Sequence, residues 1–457
     1  MASSGTVETT YKFNIPQRLE RLPMSSYQKK IFGIIATAWL FDSIDLGMLT
    51  FVLGSLQKAF HLTVVETGLL SSASFLGMFF GAAISGMLAD RFGRKIVFQW
   101  SMVIWGLGSF LCAFSTSSAM LAWSRVAVGL GMGMEFPIGQ SLVSEFIPAK
   151  NRGRYIAYLE GFWPIGFIVA GLLAYLILPV GGWRWVFAAE GIPAIFVLFI
   201  RRIVPESPRW LECNGRDTEA DQVMAKFEDN VKKALGTQQL PQPSGDSYGA
   251  KVCEPRSSFL DLWAPGYVKR TIMVWTLWFF GLLGYYGLTT WLGAFLQQAG
   301  YSVTKSVFYT LLISLAGIPG FFVSAYLLEV IGRKGTVALM LIGSAVSAYF
   351  YGSATNITTL IIFGLCMQFF MFGMWSAIYA YTPELYPTRA RATGAGFASA
   401  VGRLGSLLGP AIVGVFLPKS GHAGIFTLGA ISFVIAALIV LILGVETKGR
   451  VLEEISG

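Results

Sequence analysis

The sequence predicts an all-α membrane protein of twelve transmembrane helices in two pseudo-symmetric six-helix bundles, and three observations carry that prediction. Of 457 residues, 54% are hydrophobic, 14% aromatic and only 13% charged, with a mean hydropathy of +0.61. A soluble globule of this length needs more polar surface. Apolar stretches of about 20 residues, the length one helix needs to cross a bilayer, recur along the chain. The third observation is a repeat: Asp90, Gly93, Arg94 and Lys95 of GMLADRFGRK stand 239 positions before Glu329, Gly332, Arg333 and Lys334 of AYLLEVIGRK. The same offset carries Glu145, Pro148 and Arg152 onto Glu384, Pro387 and Arg391. Two charged patches sharing one offset mark a duplicated unit.

The polar segment before the first span ends in Lys29 and Lys30 and is expected to be a cytoplasmic tail. It lacks a short apolar run with a small-residue cleavage site, so no cleaved signal peptide is expected. Spans one to six fall near 31–55, 68–88, 96–114, 120–143, 154–178 and 184–203, making residues 1–203 an N-terminal bundle. Residues 204–270 contain polar runs such as GTQQLPQPSGDSYG and charges of both signs, which predicts a cytoplasmic linker with one or two short surface helices. Spans seven to twelve fall near 271–298, 305–330, 335–353, 358–381, 392–417 and 421–445, so residues 271–457 form a C-terminal bundle.

Orientation follows from the loops. Those after spans two, four, eight and ten read DRFGRK, PAKNRGR, EVIGRKG and TRARA, whereas the alternate loops read STSS, LPVGG, TNIT and LPKSGH. The positive-inside rule places both termini and the charged loops in the cytoplasm. This accounts for the formal net charge of +9 without a nucleic-acid partner, which would need basic residues massed on one surface with aromatics between them. With only His61 and His422 as histidines, and no metal-ligand spacing among Cys112, Cys213, Cys253 and Cys366, no metal or other cofactor is expected. Glycine clusters inside spans, as in GLGMG at 129–133, GLLGYYG at 281–287 and GFASAVGRLGSLLG at 396–409. Small residues let helix backbones approach closely in lipid.

Several of these features together resemble a known group. They are the loop GMLADRFGRK with its degenerate copy, in which Glu329 and Val330 replace Asp90 and Arg91; the run from Arg125 through Gly129, Gly131 and Gly133 in span four; PESPRW at 205–210; and ETKG at 446–449. This combination resembles the major facilitator superfamily. The resemblance implies two halves built of nested repeats, with substrate bound near the membrane midplane. Within it the chain is most similar to the metabolite:proton symporters of nicotinate and aromatic acids. Asp42-Ser43-Ile44-Asp45 resembles their Asp-x-x-Asp, and Gly402-Arg403 resembles the arginine of organic-anion carriers.

What the resemblance implies is a secondary active transporter of the inner (plasma) membrane. It would import nicotinate or a closely related small aromatic monocarboxylate by proton symport and alternating access, as a monomer. A sugar porter is the alternative, on PESPRW and the Arg125 run, although span seven reads WFFGLLGYYGLTTWL without the Gln-rich set that would hold sugar hydroxyls. A non-transporting membrane binding protein is a further alternative, opposed by Asp45, Arg125 and both loop motifs. An enzyme is not expected, since no nucleophile–base pair or phosphate-binding loop is visible.

Charges inside apolar spans carry most of the chemical information, because an acid or arginine at a helix centre costs about 2.5–3.5 kcal/mol. Asp42 and Asp45 are three residues apart and share one helix face. A carboxyl taken out of water holds its proton more readily, as a coupling group must. Arg125 lies at a depth in span four where it can meet Asp45, either as a switch released by protonation or as a fixed structural pair. Glu135 is a second candidate acid. Arg403 can bind a substrate carboxylate with its planar fork, or can partner a protein acid such as Glu135. Trp163, Tyr285, Tyr286, Trp291, Trp375 and Tyr379, with Gln297, offer faces and polar tips suited to a small aromatic acid. Asp90, Arg94, Glu145 and Arg152, with their counterparts Glu329, Arg333, Glu384 and Arg391, are expected to form cytoplasmic charge clusters that act as gates.

Overall fold

A computed structural model describes residues 15–196, 200, 203–241, 262–386 and 388–448. Among them, ten helices are long and apolar enough to cross a membrane. Two of the ten are too long for one crossing. Ala149–Gly191 has 43 residues and Thr388–Leu443 has 56, roughly 65 and 84 Å at 1.5 Å per residue against a hydrocarbon core of about 30 Å. Each leaves helical geometry at one glycine, Gly182 (φ 66°, ψ −173°) and Gly421 (φ 63°, ψ −176°). Positive φ is open to glycine without steric cost, and these glycines sit in the expected loops LPVGG and LPKSGH. Splitting both helices there restores spans five and six, and eleven and twelve. Gly182 and Gly421 are themselves 239 residues apart.

The charged loops turn in the same way in both halves. Gly93 (φ 103°) separates Val64–Phe92 from Arg94–Ala113, and Gly332 (φ 93°) separates Gly317–Val330 from Arg333–Gly352. Other ends are set by capping rather than by hydropathy, so spans begin earlier than their apolar cores. Span one runs Ser26–Ala59 because Ser25 and Gln28 form a capping box, and span two starts at Val64 because Thr63 and Glu66 form another. Span eight is two pieces, Val303–Ser314 and Gly317–Val330. Pro319 lies just past the break, where its missing N–H cannot close a helical turn.

Close helix approach explains part of the glycine content. A Cβ at Gly129 would run into the Ser74 carbonyl, and one at Gly133 into that of Met78. The span two–span four contact is therefore backbone against backbone. Gly405 and Gly409 do the same for span eleven against the Phe279 and Leu283 carbonyls of span seven. Between the halves, Gly293 meets the Thr50 carbonyl, Gly68 meets the Pro410 carbonyl, and Gly171 packs on Phe51 and Leu311. Gln298 also donates to Gln57 at 3.4 Å. Most of these contacts lie toward the end away from the charged loops.

The expected polar tail is in part a docked element. Ile15–Glu20 is helical, with Ile15 and Leu19 buried. Its Arg18 pairs with Asp221 (2.9 Å) and Glu228 (2.7 Å), and Arg21 pairs with Glu228 (2.6 Å). Both acids belong to Asp217–Leu235, the longer of the two described linker helices, the other being Pro208–Cys213. Asp217–Leu235 buries Ala220, Met224, Phe227 and Val231 along one stripe. Acids in its first turn and lysines in its last complement the helix dipole. Phe227 stacks on Phe146 at the end of span four, with ring centroids 5.4 Å apart.

Candidate functional site

Gly402, Gly405 and Gly409 place one face of span eleven against span seven, which turns the adjacent Arg403 toward the middle of the molecule. There it lines a cavity between the two halves. Span four contributes Phe136, span five Glu160, Trp163 and Pro164, span seven Tyr286, span eight Phe321, and span ten Phe372, Trp375 and Tyr379. The Arg403 guanidinium sits 4.7 Å above the Phe136 ring across the junction of the halves, and Nη1 is 3.9 Å from the Met78 sulfur. Among the described residues no carboxylate lies within ion-pair distance of it. The expected alternative, a direct pair with Glu135, does not form. Asp42 and Glu160 are the acids whose charges reach it at longer range.

The cavity wall is largely aromatic. Trp375 stacks on Tyr379 (5.6 Å, 23°) and meets Tyr285 edge-on at 5.3 Å. Tyr286 packs on Phe75 of span two at 4.5 Å. A second, adjoining cavity continues between Leu46, Leu49 and Thr50 of span one and Tyr285, Thr289 and Thr290 of span seven, sharing Trp163 and Tyr286 with the first. Among the described residues, Trp375 Nε1 and the Tyr285 and Tyr286 hydroxyls are buried without hydrogen-bond partners. Folded proteins seldom leave such groups unmatched.

Two expected members of the wall lie elsewhere. Trp291 is fully buried, donates from Nε1 to the Pro410 carbonyl at 3.2 Å and stacks on Phe295, so it fastens span seven to span eleven. Gln297 packs against Gly54 near the far end of span seven, its amide atoms buried and unpartnered. Sequence reasoning missed Glu160, Phe136, Phe321 and Phe372. Glu160 carried a readable signal, an acid inside the apolar run of span five.

The intramembrane acids expected from the sequence form two groups, both in the N-terminal half. Asp45 Oδ1 accepts from Arg125 Nη1 at 3.0 Å and from the Ser109 hydroxyl at 3.2 Å, and its Oδ2 lies 2.9 Å from Arg125 Nη2 as an ion-pair contact. Arg125 Nε also donates to Ser74 at 2.8 Å. Arg125 and Asp45 are 0% and 1% exposed. The pair lies outside both cavities, sealed among spans one to four, with Glu190 of span six within electrostatic reach. Glu190 is a second acid that sequence reasoning missed. Asp42 and Glu135 form the other group: both are buried, their charges interact, and among the described residues neither Asp42 oxygen has a hydrogen-bond partner.

On the side of the charged loops, Arg94 pairs with Asp90 (3.5 Å) and Glu145 (3.8 Å), while Arg333 pairs with Glu329 (3.1 Å) and Glu384 (3.1 Å). Arg152 turns instead to Glu20 (2.6 Å), which also holds Arg209 (2.9 Å). The Arg391 side chain lies outside the described residues. Each of these Arg94 and Arg333 pairs ties helices of one half. The PESPRW and ETKG motifs complete them. Glu206 accepts the Lys95 backbone N–H at 3.1 Å, and Glu446 accepts those of Arg333 and Lys334 at 2.8 and 3.1 Å, so each caps the helix after its glycine turn. Burial pushes the Glu206 carboxyl above its ordinary range against its backbone donors. Glu446 is less enclosed; burial raises it too, but four backbone amides hold it below that range.

The chain is similar to known proteins over most of its length. The family described as sugar (and other) transporter matches residues 14–457. The niacin transporter NiaP of Acinetobacter baylyi is 38% identical over 443 residues, covering 97% of this chain and 99% of that protein. The putative niacin/nicotinamide transporter NiaP of Bacillus subtilis is 35% identical over 427 residues, covering 93% and 98%. Among solved structures, the inward-open xylose transporter XylE from E. coli superposes with a TM-score of 0.73 at 19% identity, covering 94% of this chain and 99% of that one.

Proposed function

The chain belongs to the sugar (and other) transporter family and is a multi-pass membrane transporter, and we propose that it imports nicotinate, or a closely related small aromatic monocarboxylate, together with a proton. One observation carries this reading: Arg403, buried among aromatic rings in the central cavity, has no ion-pair partner among the described residues. A desolvated guanidinium needs an anion, and it pairs with a carboxylate through two parallel bonds. The aromatic wall suits a flat ring bound by offset or edge contacts. The niacin transporters at 35–38% identity support the same substrate class. The xylose likeness, at 19% identity, bears on the fold alone.

Proton coupling is assigned to Asp45 and Arg125, with Asp42 and Glu135 as the second acid group. A proton on Asp45 discharges the ion pair and frees Arg125, which changes how span four is held against spans one and two. Binding that favours one arrangement of the halves then shifts their equilibrium. The Arg94 and Arg333 clusters act as gates by keeping each half rigid on its cytoplasmic side as the two rock. The distribution of Lys and Arg supports cytoplasmic termini and an inner-membrane location. One chain supplies the whole cavity, so a monomer suffices.

The test is a thermal-shift screen of purified protein against nicotinate, nicotinamide, benzoate and xylose. The anionic aromatics should stabilise the native protein but not Arg403→Ala, with the amide and the sugar inert. Stabilisation by xylose alone would favour the sugar-porter reading.

A further inference from the structure

Glu160 stands in the same cavity as Arg403, and no expectation from the sequence gave it a role. Its Oε1 accepts from Gln140 Nε2 at 2.9 Å, which fixes the carboxyl in place. Among the described residues Oε2 has no hydrogen-bond partner, although the side chain is buried and lines the cavity. Arg403 influences it electrostatically but stays beyond ion-pair distance. One small space therefore holds a cation with no ion-pair partner among the described residues and a half-satisfied carboxyl, on opposite halves, and the flat rings of Trp163, Trp375 and Tyr379 line the same space.

A wall of this kind reads two polar ends of a ring at once. We propose that Glu160 recognises the ring nitrogen of the substrate while Arg403 holds its carboxylate, making Glu160 the residue that selects a pyridine carboxylate over a benzene carboxylate. The assignment rests on the aromatic-monocarboxylate reading above and sharpens it. A pyridine nitrogen has one lone pair in the ring plane. A protonated Glu160 donates its O–H to that lone pair, and an ionised Glu160 accepts the N–H of a pyridinium. In both cases one proton lies between Oε2 and nitrogen, and no other bond changes. Benzoate presents a C–H there, which leaves the buried carboxyl unpaired, and an unmatched buried polar group is what gives such sites their selectivity. Gln140 positions the carboxyl by occupying the other oxygen.

The experiment is calorimetric titration of the detergent-purified full chain with nicotinate and with benzoate, for the native protein, Glu160→Leu and Glu160→Gln. The native protein should prefer nicotinate by about ten- to a hundredfold. Glu160→Leu should bring the ratio close to one, by weakening nicotinate and by removing the unpaired carboxyl that disfavours benzoate. Glu160→Gln should keep most of the preference, because the amide N–H still donates to the ring nitrogen. An undiminished preference in Glu160→Leu overturns the assignment. So does a native protein that binds both acids equally, which leaves the aromatic-monocarboxylate reading intact. A native protein that binds neither overturns both. Should the leucine variant not fold, nicotinate against its 2- and 4-carboxylate isomers on the native protein decides instead. A preference for the 3-isomer supports Glu160, and equal binding overturns it.

Discussion

Replacing Asp45 by Asn removes one charge from the most enclosed ion pair described. The carboxylate meets Arg125 at 3.0 and 2.9 Å and Ser109 at 3.2 Å, with both partners of the pair essentially inaccessible to solvent. Breaking a buried pair by deleting one partner costs about 3–5 kcal/mol, because the other charge stays uncompensated. Arg125 keeps its 2.8 Å bond to Ser74, and Glu190 remains within reach, so the expected loss lies near the lower end, about 3 kcal/mol. Denaturant unfolding in detergent measures it. Asp45→Asn with Arg125→Gln should recover much of the loss, since no bare charge remains. In proteoliposomes the single variant should exchange substrate across the membrane yet fail to accumulate it when a pH gradient is imposed. A single variant as stable as the native protein that still accumulates substrate would refute the reasoning.

Three further outcomes are expected. Gly129→Ala drives a methyl into the Ser74 carbonyl where spans two and four touch, and overpacking of this kind costs about 1–3 kcal/mol in unfolding measurements. Trp291→Phe removes one hydrogen bond to Pro410, about 1 kcal/mol, and should leave substrate affinity unchanged, whereas Trp375→Ala should weaken binding at least tenfold by calorimetry. The third concerns Glu228. Burial raises this carboxyl, but hydrogen bonds and charge from Arg18 and Arg21 outweigh burial and hold it below its ordinary 4.5. Its contribution is therefore present above pH 4.5 and lost as pH falls through the lowered folded value. A melting temperature followed downward from pH 6 should drop in that window, and Glu228→Gln should flatten the drop.

Architecture was legible because a bilayer leaves few choices: apolar length sets the spans, and Lys and Arg mark the loops. The Asp45–Arg125 pair was legible for a related reason, since opposite charges in neighbouring apolar helices have few other partners. Helix ends were less so, because Ser25 and Thr63 extend spans one and two past their apolar cores through capping. Rotation about the helix axis was the hardest to read. Trp291 and Trp375 look alike in sequence, yet one bonds the Pro410 carbonyl and the other faces the cavity, a difference set by which neighbour each helix packs against. Glu160 and Glu190 lay within predicted spans and bore the same mark as Asp45. The docked N-terminal helix was hidden because its cover, Asp217–Leu235, is distant in sequence.

The most direct measurement is uptake of radiolabelled nicotinate by proteoliposomes with an alkaline interior. The native protein should accumulate nicotinate above the external concentration, lose that accumulation when the gradient is dissipated, and lose transport altogether in Arg403→Ala. Nicotinate entering no faster than into protein-free vesicles, or entering undiminished through Arg403→Ala, would contradict the account.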